Sequence, residues 1–232
     1  MISLIVPAYN EEALIGRTLD TLLASARALG EPFEVIVVND ASEDATAGIA
    51  ASRGVTVRDV SLRHIAAVRN AGARVAKGEI LVFVDADTLV PPGTLRAAVD
   101  ALRGGAAGGG ARVDFDPIPL SMRIFWRIFT FFYHLLGLAA GCFIFARRDA
   151  FEAAGGFDER YFASEEVHLS LALRRQGRFV ILREKVLTSG RKCRLYTPAQ
   201  LLGRMLLIFL RGFRGLRRRE GLDIWYDGRR EG

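Results

Sequence analysis

Residues Leu81–Pro92, LVFVDADTLVPP, begin as a continuous apolar, β-branched run and end on two carboxylates one residue apart, closed by paired prolines that stop a strand from continuing. A strand buried on both faces belongs to a parallel sheet. Strand alternation puts Asp85 and Asp87 on the same side of its end, where charges gain nothing unless they meet a metal ion, a ligand hydroxyl or water. D-x-D alone is a weak signal, because Asp114–Asp116 is a second copy.

Working outward, the same grammar recurs. Ile2–Val6 is a short apolar run closed by Pro7, and Asn10 reads as the N-cap of a helix whose apolar face is Leu14, Ile15, Leu19, Leu22 and Leu23. Phe33–Val38 is a second strand ending in NDASEDAT, Val55–Val60 a third, Ile65–Ala76 a helix, and Ile80–Val84 the strand that leads into the two aspartates. Near-continuous apolar strands alternating with amphipathic helices predict an α/β fold with a mostly parallel central sheet flanked by helices. Ligands in such sheets collect at the carboxyl ends of the strands, which here carry PAYNEE, NDASED and DADT.

With 232 residues, half of them apolar, the chain can bury a full core and reads as one large domain. A net charge of +6, with arginine far outnumbering lysine, suits phosphate-bearing partners. Charge alone leaves nucleic acid, anionic membrane and nucleotide open. Cys142 and Cys193 have no metal-ligand spacing and read as reduced thiols, and MISLIVPAYNEE reads as a first strand rather than a signal peptide. The expected location is therefore cytoplasmic.

The second half differs in character. RGGAAGGGARVDFDP reads as a glycine-rich loop and a strand, and the segment Ile128–Ala146 contains no formal charge. Arg123, Arg127, Thr130 and His134 fall on one narrow helical face, so an interfacial, core or dimer-forming helix followed by a strand at Gly141–Phe145 fits better than a membrane span. TPAQ predicts a capping box of Thr197 and Gln200 opening a last helix, basic at Arg204, Arg211, Arg214 and Arg218. The expected organisation is a catalytic domain over 1–195, with halves at about 1–117 and 118–195, followed by a basic amphipathic helix and tail over 196–232.

Four ordered segments, IVPAYNEE, VVNDASED, VRNAGARVAKGEILVFVDADT and GGFDERYFASEEVHLSLALRRQG, resemble the family-2 glycosyltransferases with a GT-A nucleotide-diphospho-sugar fold, over roughly Ile2 to Arg178. The resemblance implies a nucleoside-diphosphate sugar donor cradled by Pro7, Ala8, Tyr9, Glu11 and Asp40. It also implies Asp85 at the donor's ribose or diphosphate, and Asp87 as ligand to a divalent cation, Mg²⁺ or Mn²⁺, with Asp85 beside it. Arg69 and Asn70 resemble the loop over the donor, Arg191 and Lys192 stand where a diphosphate contact is expected, and Gly156, Phe157 and Asp158 face the acceptor side. Nucleic acid is then not an expected partner.

Two departures matter. Asn39 stands where a second aspartate is usual, leaving Asp40 alone to accept from a base N–H. EEVHL replaces the family's Glu-Asp-x-Asp-Leu, so Glu166 occupies the place of the catalytic base with Glu165 as its rival, and His168 reads as a structural replacement. Acids in a first helical turn are also favoured by the helix dipole alone, with Ser164 as cap. The expected activity is inverting sugar transfer to an acceptor hydroxyl, on a lipid-linked or membrane-proximal acceptor at an anionic membrane surface, with a homodimer as an alternative use of the apolar helix. A nucleotidyltransferase or a non-catalytic, membrane-docking nucleotide-sugar binder are the other readings.

Overall fold

The apolar run that opens the chain lies at the centre of a sheet. In the computed structural model, which describes residues 1–201 and 203, Ile2–Ala8 (β1) is buried along its whole length. It pairs in parallel with Phe33–Asp40 (β2) on one side and Ile80–Val84 (β4) on the other, with Thr56–Val60 (β3) outside β2. Pairing with β4 stops at Ile5, while β1 runs on through Pro7 to Ala8 along β2. Successive side chains enter opposite core layers: Leu4, Val6, Val82 and Val84 one, Ile5, Leu81 and Phe83 the other. Ile15–Arg27 (α1) covers the first layer with Ile15, Leu19 and Leu22, next to the short Thr46–Ala51 (α2). Ile65–Val75 (α3) covers the second, so close to β1 that a Cβ on Gly72 would stand 2.4 Å from Ile5 Cγ2.

After the two-residue Thr88–Leu89 (β5) and Pro92–Arg103 (α4) come Ala106–Phe115 (β6), Leu120–Leu135 (α5), Phe143–Arg147 (β7), Arg148–Ala153 (α6), Glu165–Gln176 (α7), Arg178–Thr188 (β8) and Arg191–Leu195 (α8). Among the described residues the sheet has eight strands in the order β3-β2-β1-β4-β7-β6-β8-β5. β7 runs antiparallel to both its neighbours, β4 and β6, and so joins the two halves of the chain in one sheet. No described helix is long and apolar enough to cross a membrane.

Local readings of the sequence are corrected at two points. Asn10 is not a helix cap: it sits at φ 51° and its Oδ1 accepts from the Glu43 N–H at 2.8 Å, while α1 starts only at Ile15. Of the glycine-rich run, Gly104 and Gly105 form the turn, with Gly105 at φ 88°, but the remaining glycines are not in a loop. Gly108, Gly109 and Gly110 lie inside β6, where a Cβ on Gly109 would come within 2.1 Å of the Val180 carbonyl oxygen and one on Gly108 within 2.8 Å of that of Phe145. Glycine serves close packing there, not turning. The Thr197 capping box is present, with Thr197 N–H donating to Gln200 Oε1 at 2.9 Å and Gln200 N–H to Thr197 Oγ1 at 3.3 Å. Arg204, Arg211, Arg214 and Arg218 lie outside the described residues.

Candidate active site at the carboxyl ends of the strands

β1, β2 and β4 run in parallel, so their carboxyl ends open on one edge of the sheet. The loop after β1 and the loop after β2 are laced together there. Asn10 N–H donates to Ser42 Oγ at 3.0 Å, Glu11 N–H to Thr46 Oγ1 at 2.7 Å, and Ala45 N–H to Glu12 Oε2 at 2.9 Å. Pro7, Ala8, Tyr9 and Glu11 thus stand beside Asp40. One oxygen of Asp40 accepts from the N–H groups of Leu62 at 2.7 Å and Arg63 at 3.1 Å, which ties down the segment before α3. Arg63 lays its guanidinium 4.2 Å from the centre of the Tyr9 ring, a wall that the sequence reading missed. Asn39 donates to Asp59 at 2.7 Å.

The two aspartates of the opening stretch lie in the turn just past β4 and face different arginines. Asp85 Oδ1 accepts from Arg69 Nη2 at 2.7 Å. Asp87 Oδ2 lies 3.1 Å from Arg191, and its Oδ1 accepts from Thr188 Oγ1 at 3.3 Å. Arg191 also grips Glu11 bidentately at 2.6 and 2.7 Å. Burial would lower its pKa, but the hydrogen bond to Glu11 and the charges of Asp87 and Glu11 raise it. The Lys192 side chain lies outside what is described.

Arg69 is the hub. Buried in the middle of α3, it donates to Asp85, to Glu165 and to the Gly141 carbonyl at 2.9 Å, and lies 5.2 Å from the Phe157 ring centre. Burial opposes its charge, yet the negative charges of Asp85 and Glu165 outweigh that and raise its pKa. Glu165 is therefore committed to an ion pair. Glu166 has a different environment: its Oε1 accepts from Tyr133 Oη at 3.3 Å, and burial together with the Glu165 charge pushes its pKa up to about 8. Such a carboxylate is poised to exchange a proton near neutrality. Tyr133, on α5, carried no signal in the sequence that would join it to residue 166. Ser164 precedes these acids in a left-handed conformation with φ 63° and makes no side-chain cap.

Residues expected on the acceptor side are built into the same region. Asn70 Nδ2 donates to the Phe157 carbonyl at 2.9 Å and its Oδ1 accepts from the Phe157 N–H at 3.0 Å, across a turn where Gly155 and Gly156 have φ 83° and 71°. Phe157 is buried edge-on to Phe83, with ring centres 4.9 Å apart, so it faces the core rather than an open surface. Asp158 pairs with Arg160 at 2.6 Å, and His168 stacks on Tyr161 at 3.8 Å.

Among the described residues no three His, Cys, Asp or Glu side chains converge on a metal position. Asp85 and Asp87 lie in one turn with their carboxylates paired to Arg69 and Arg191, and a hard cation held there with substrate phosphates would have to take over those arginine contacts.

Comparison with known proteins bears on the family and the fold. Residues 3–154 match the family model described as Glycosyl transferase family 2. A validoxylamine A glucosyltransferase of Streptomyces hygroscopicus subsp. jinggangensis is 36% identical over 127 residues, covering 50% of this chain and 30% of that protein. An undecaprenyl-phosphate 4-deoxy-4-formamido-L-arabinose transferase of Pseudomonas paraeruginosa is 36% identical over 101 residues, covering 40% and 29%. The chain thus spans about a third of the length of these relatives. Among solved structures, the mannosyltransferase PcManGT of Pyrobaculum calidifontis, in complex with GDP-Man and Mn²⁺, superimposes with a TM-score of 0.65 at 23% identity, covering 88% of this chain and 59% of that one. TarS 1–349 of S. aureus, in complex with UDP-GlcNAc, gives 0.61 at 22% identity, covering 81% and 58%. These likenesses establish a GT-A fold.

Proposed function

The chain belongs to glycosyl transferase family 2, and from that premise we propose that it transfers a sugar from a nucleoside-diphosphate donor to an acceptor hydroxyl with inversion. The observation that carries this reading is Glu166, which accepts a hydrogen bond from Tyr133 beside the Arg69–Asp85 pair, where burial and the Glu165 charge raise its pKa. Glu166 takes the acceptor's proton as the acceptor oxygen attacks the anomeric carbon, and the bond from that carbon to the diphosphate breaks. Tyr9, Asp40 and the backbone of Pro7 and Ala8 receive the base, and Arg191, between Glu11 and Asp87, faces the diphosphate. Asp87 and Asp85 would hold Mg²⁺ or Mn²⁺, which when bound supplies charge stabilisation for the departing diphosphate. The structural neighbours support the donor class, since two of them were solved with UDP-GlcNAc and GDP-Man.

We further propose a lipid-linked acceptor, met at the cytoplasmic face of a membrane. Support comes from the matching undecaprenyl-phosphate transferase.

The test is product analysis with a panel of UDP- and GDP-sugars, with and without Mn²⁺. Nucleoside diphosphate release that depends on an acceptor supports transfer. Pyrophosphate release instead would identify a nucleotidyltransferase, and donor binding without turnover on any acceptor a non-catalytic binder.

A further inference from the structure

Among the described residues, the outward face of α5 carries the main run of exposed large apolar side chains. Leu120, Ile124, Ile128, Phe131, Phe132 and Leu135 are between 52% and 72% exposed. At about 100° per residue they form one stripe along the helix axis. The opposite side, with Met122, Trp126, Phe129 and Tyr133, turns inward: Met122 packs against Cys193, and Tyr133 reaches Glu166. Arg123 and Arg127 are exposed and flank one edge of the stripe.

We propose that this face docks on an anionic lipid bilayer, lying in the plane of the headgroups. A second copy of the chain fits the face less well. The helix has 16 residues, so the stripe measures about 24 Å by roughly 10 Å, on the order of 250 Å², against about 800 Å² per partner in a stable pair. Its chemistry is that of an interfacial helix, with aliphatic and aromatic side chains on one arc and arginines at its border, complementary to lipid phosphates. Its position adds a consequence that rests on the proposed transfer reaction. One face of α5 meets the bilayer while the other donates a hydrogen bond to Glu166, so a headgroup-borne acceptor would lie about one helix diameter, some 10 Å, from the base.

The test is co-sedimentation of the full chain with vesicles of phosphatidylcholine alone or mixed with phosphatidylglycerol. The wild-type chain is expected to pellet with the anionic vesicles, and less at high salt. I128S/F131S/L135S, confined to exposed positions, is expected to lower the bound fraction at least tenfold, and R123Q/R127Q to lower it severalfold on anionic vesicles only. Equal pelleting of wild type and both variants overturns the proposal, as does wild type remaining in the supernatant with both vesicle types. So does a wild-type dimer in velocity sedimentation that the triple variant converts to monomer. Donor-induced thermal shift and nucleoside diphosphate release, measured alongside, separate the two claims: vesicle binding without turnover removes the transfer reading, and turnover without vesicle binding removes this one.

Discussion

Arg69 and Glu165, 96 positions apart in the chain, form a buried ion pair, and that pairing gives two adjacent glutamates different surroundings. Glu165 neutralises the arginine that also holds Asp85, whereas Glu166 is left with Tyr133 and a raised pKa.

Glu166→Gln is therefore expected to lower turnover by about 10²–10⁴-fold with donor affinity unchanged, which single-turnover kinetics and donor titration will measure. Glu165→Gln is expected to act mainly on stability. It leaves Arg69 with Asp85 as its one paired carboxylate, beside the Gly141 carbonyl, so the loss is roughly 3 kcal/mol, the lower end of what breaking a buried pair costs, read from the urea midpoint. The opposite pattern would make Glu165 the base.

The pH dependence has a definite sign. A base must be unprotonated to act, so turnover rises with pH up to about 8, where Glu166 titrates, and Glu166→Gln removes that rise. Stability moves the other way. The folded chain holds a proton on Glu166 that the unfolded chain releases near the ordinary glutamate value of 4.5, so this group's contribution falls as pH climbs from there towards 8. Melting temperature compared across that window is expected to fall less in Glu166→Gln than in the wild type.

Tyr133→Phe removes a donor that favours the charged form of Glu166. The base pKa is then expected to move further up, shifting the pH–rate profile to the alkaline side with a severalfold loss of rate at neutral pH. An unshifted profile would show that the contact does not tune the base.

Asp87→Ala is expected to abolish the enhancement of nucleoside diphosphate binding by Mn²⁺, measured by calorimetry with and without the ion, while the ligand-free melting temperature drops through loss of the Arg191 pair. Metal-dependent affinity that survives the substitution would contradict the assignment of Asp87.

Gly109→Ala puts a methyl group against the Val180 carbonyl and the Phe145 ring. Overpacking of this kind costs about 1–3 kcal/mol, and the upper end is expected because a backbone atom cannot swing aside. Denaturant unfolding will measure it.

These residues also mark what the sequence makes legible. β1, β2 and β4 could be read because strands buried on both faces must be apolar throughout, and the acids past their ends because nothing in a core explains them. The run Gly108–Gly110 was misread because glycine spells a turn locally, while its cause is the approach of β8 and β7, set by strands far along the chain. Asn10 was misread for a like reason: its partner is Glu43, across a loop pair that exists only after folding. Spacing does not distinguish Glu165 from Glu166, since the groups that give them different surroundings, Arg69 and Tyr133, come from α3 and α5.

The lacing of residues 10–12 to 42–46 carries a last consequence. These loops are held by each other's side chains and backbone before any nucleotide arrives, so little conformational freedom remains for a ligand to quench. On the proposed donor site, association of the base would then be governed by diffusion and encounter, and differences among nucleotides would lie in how long each one stays.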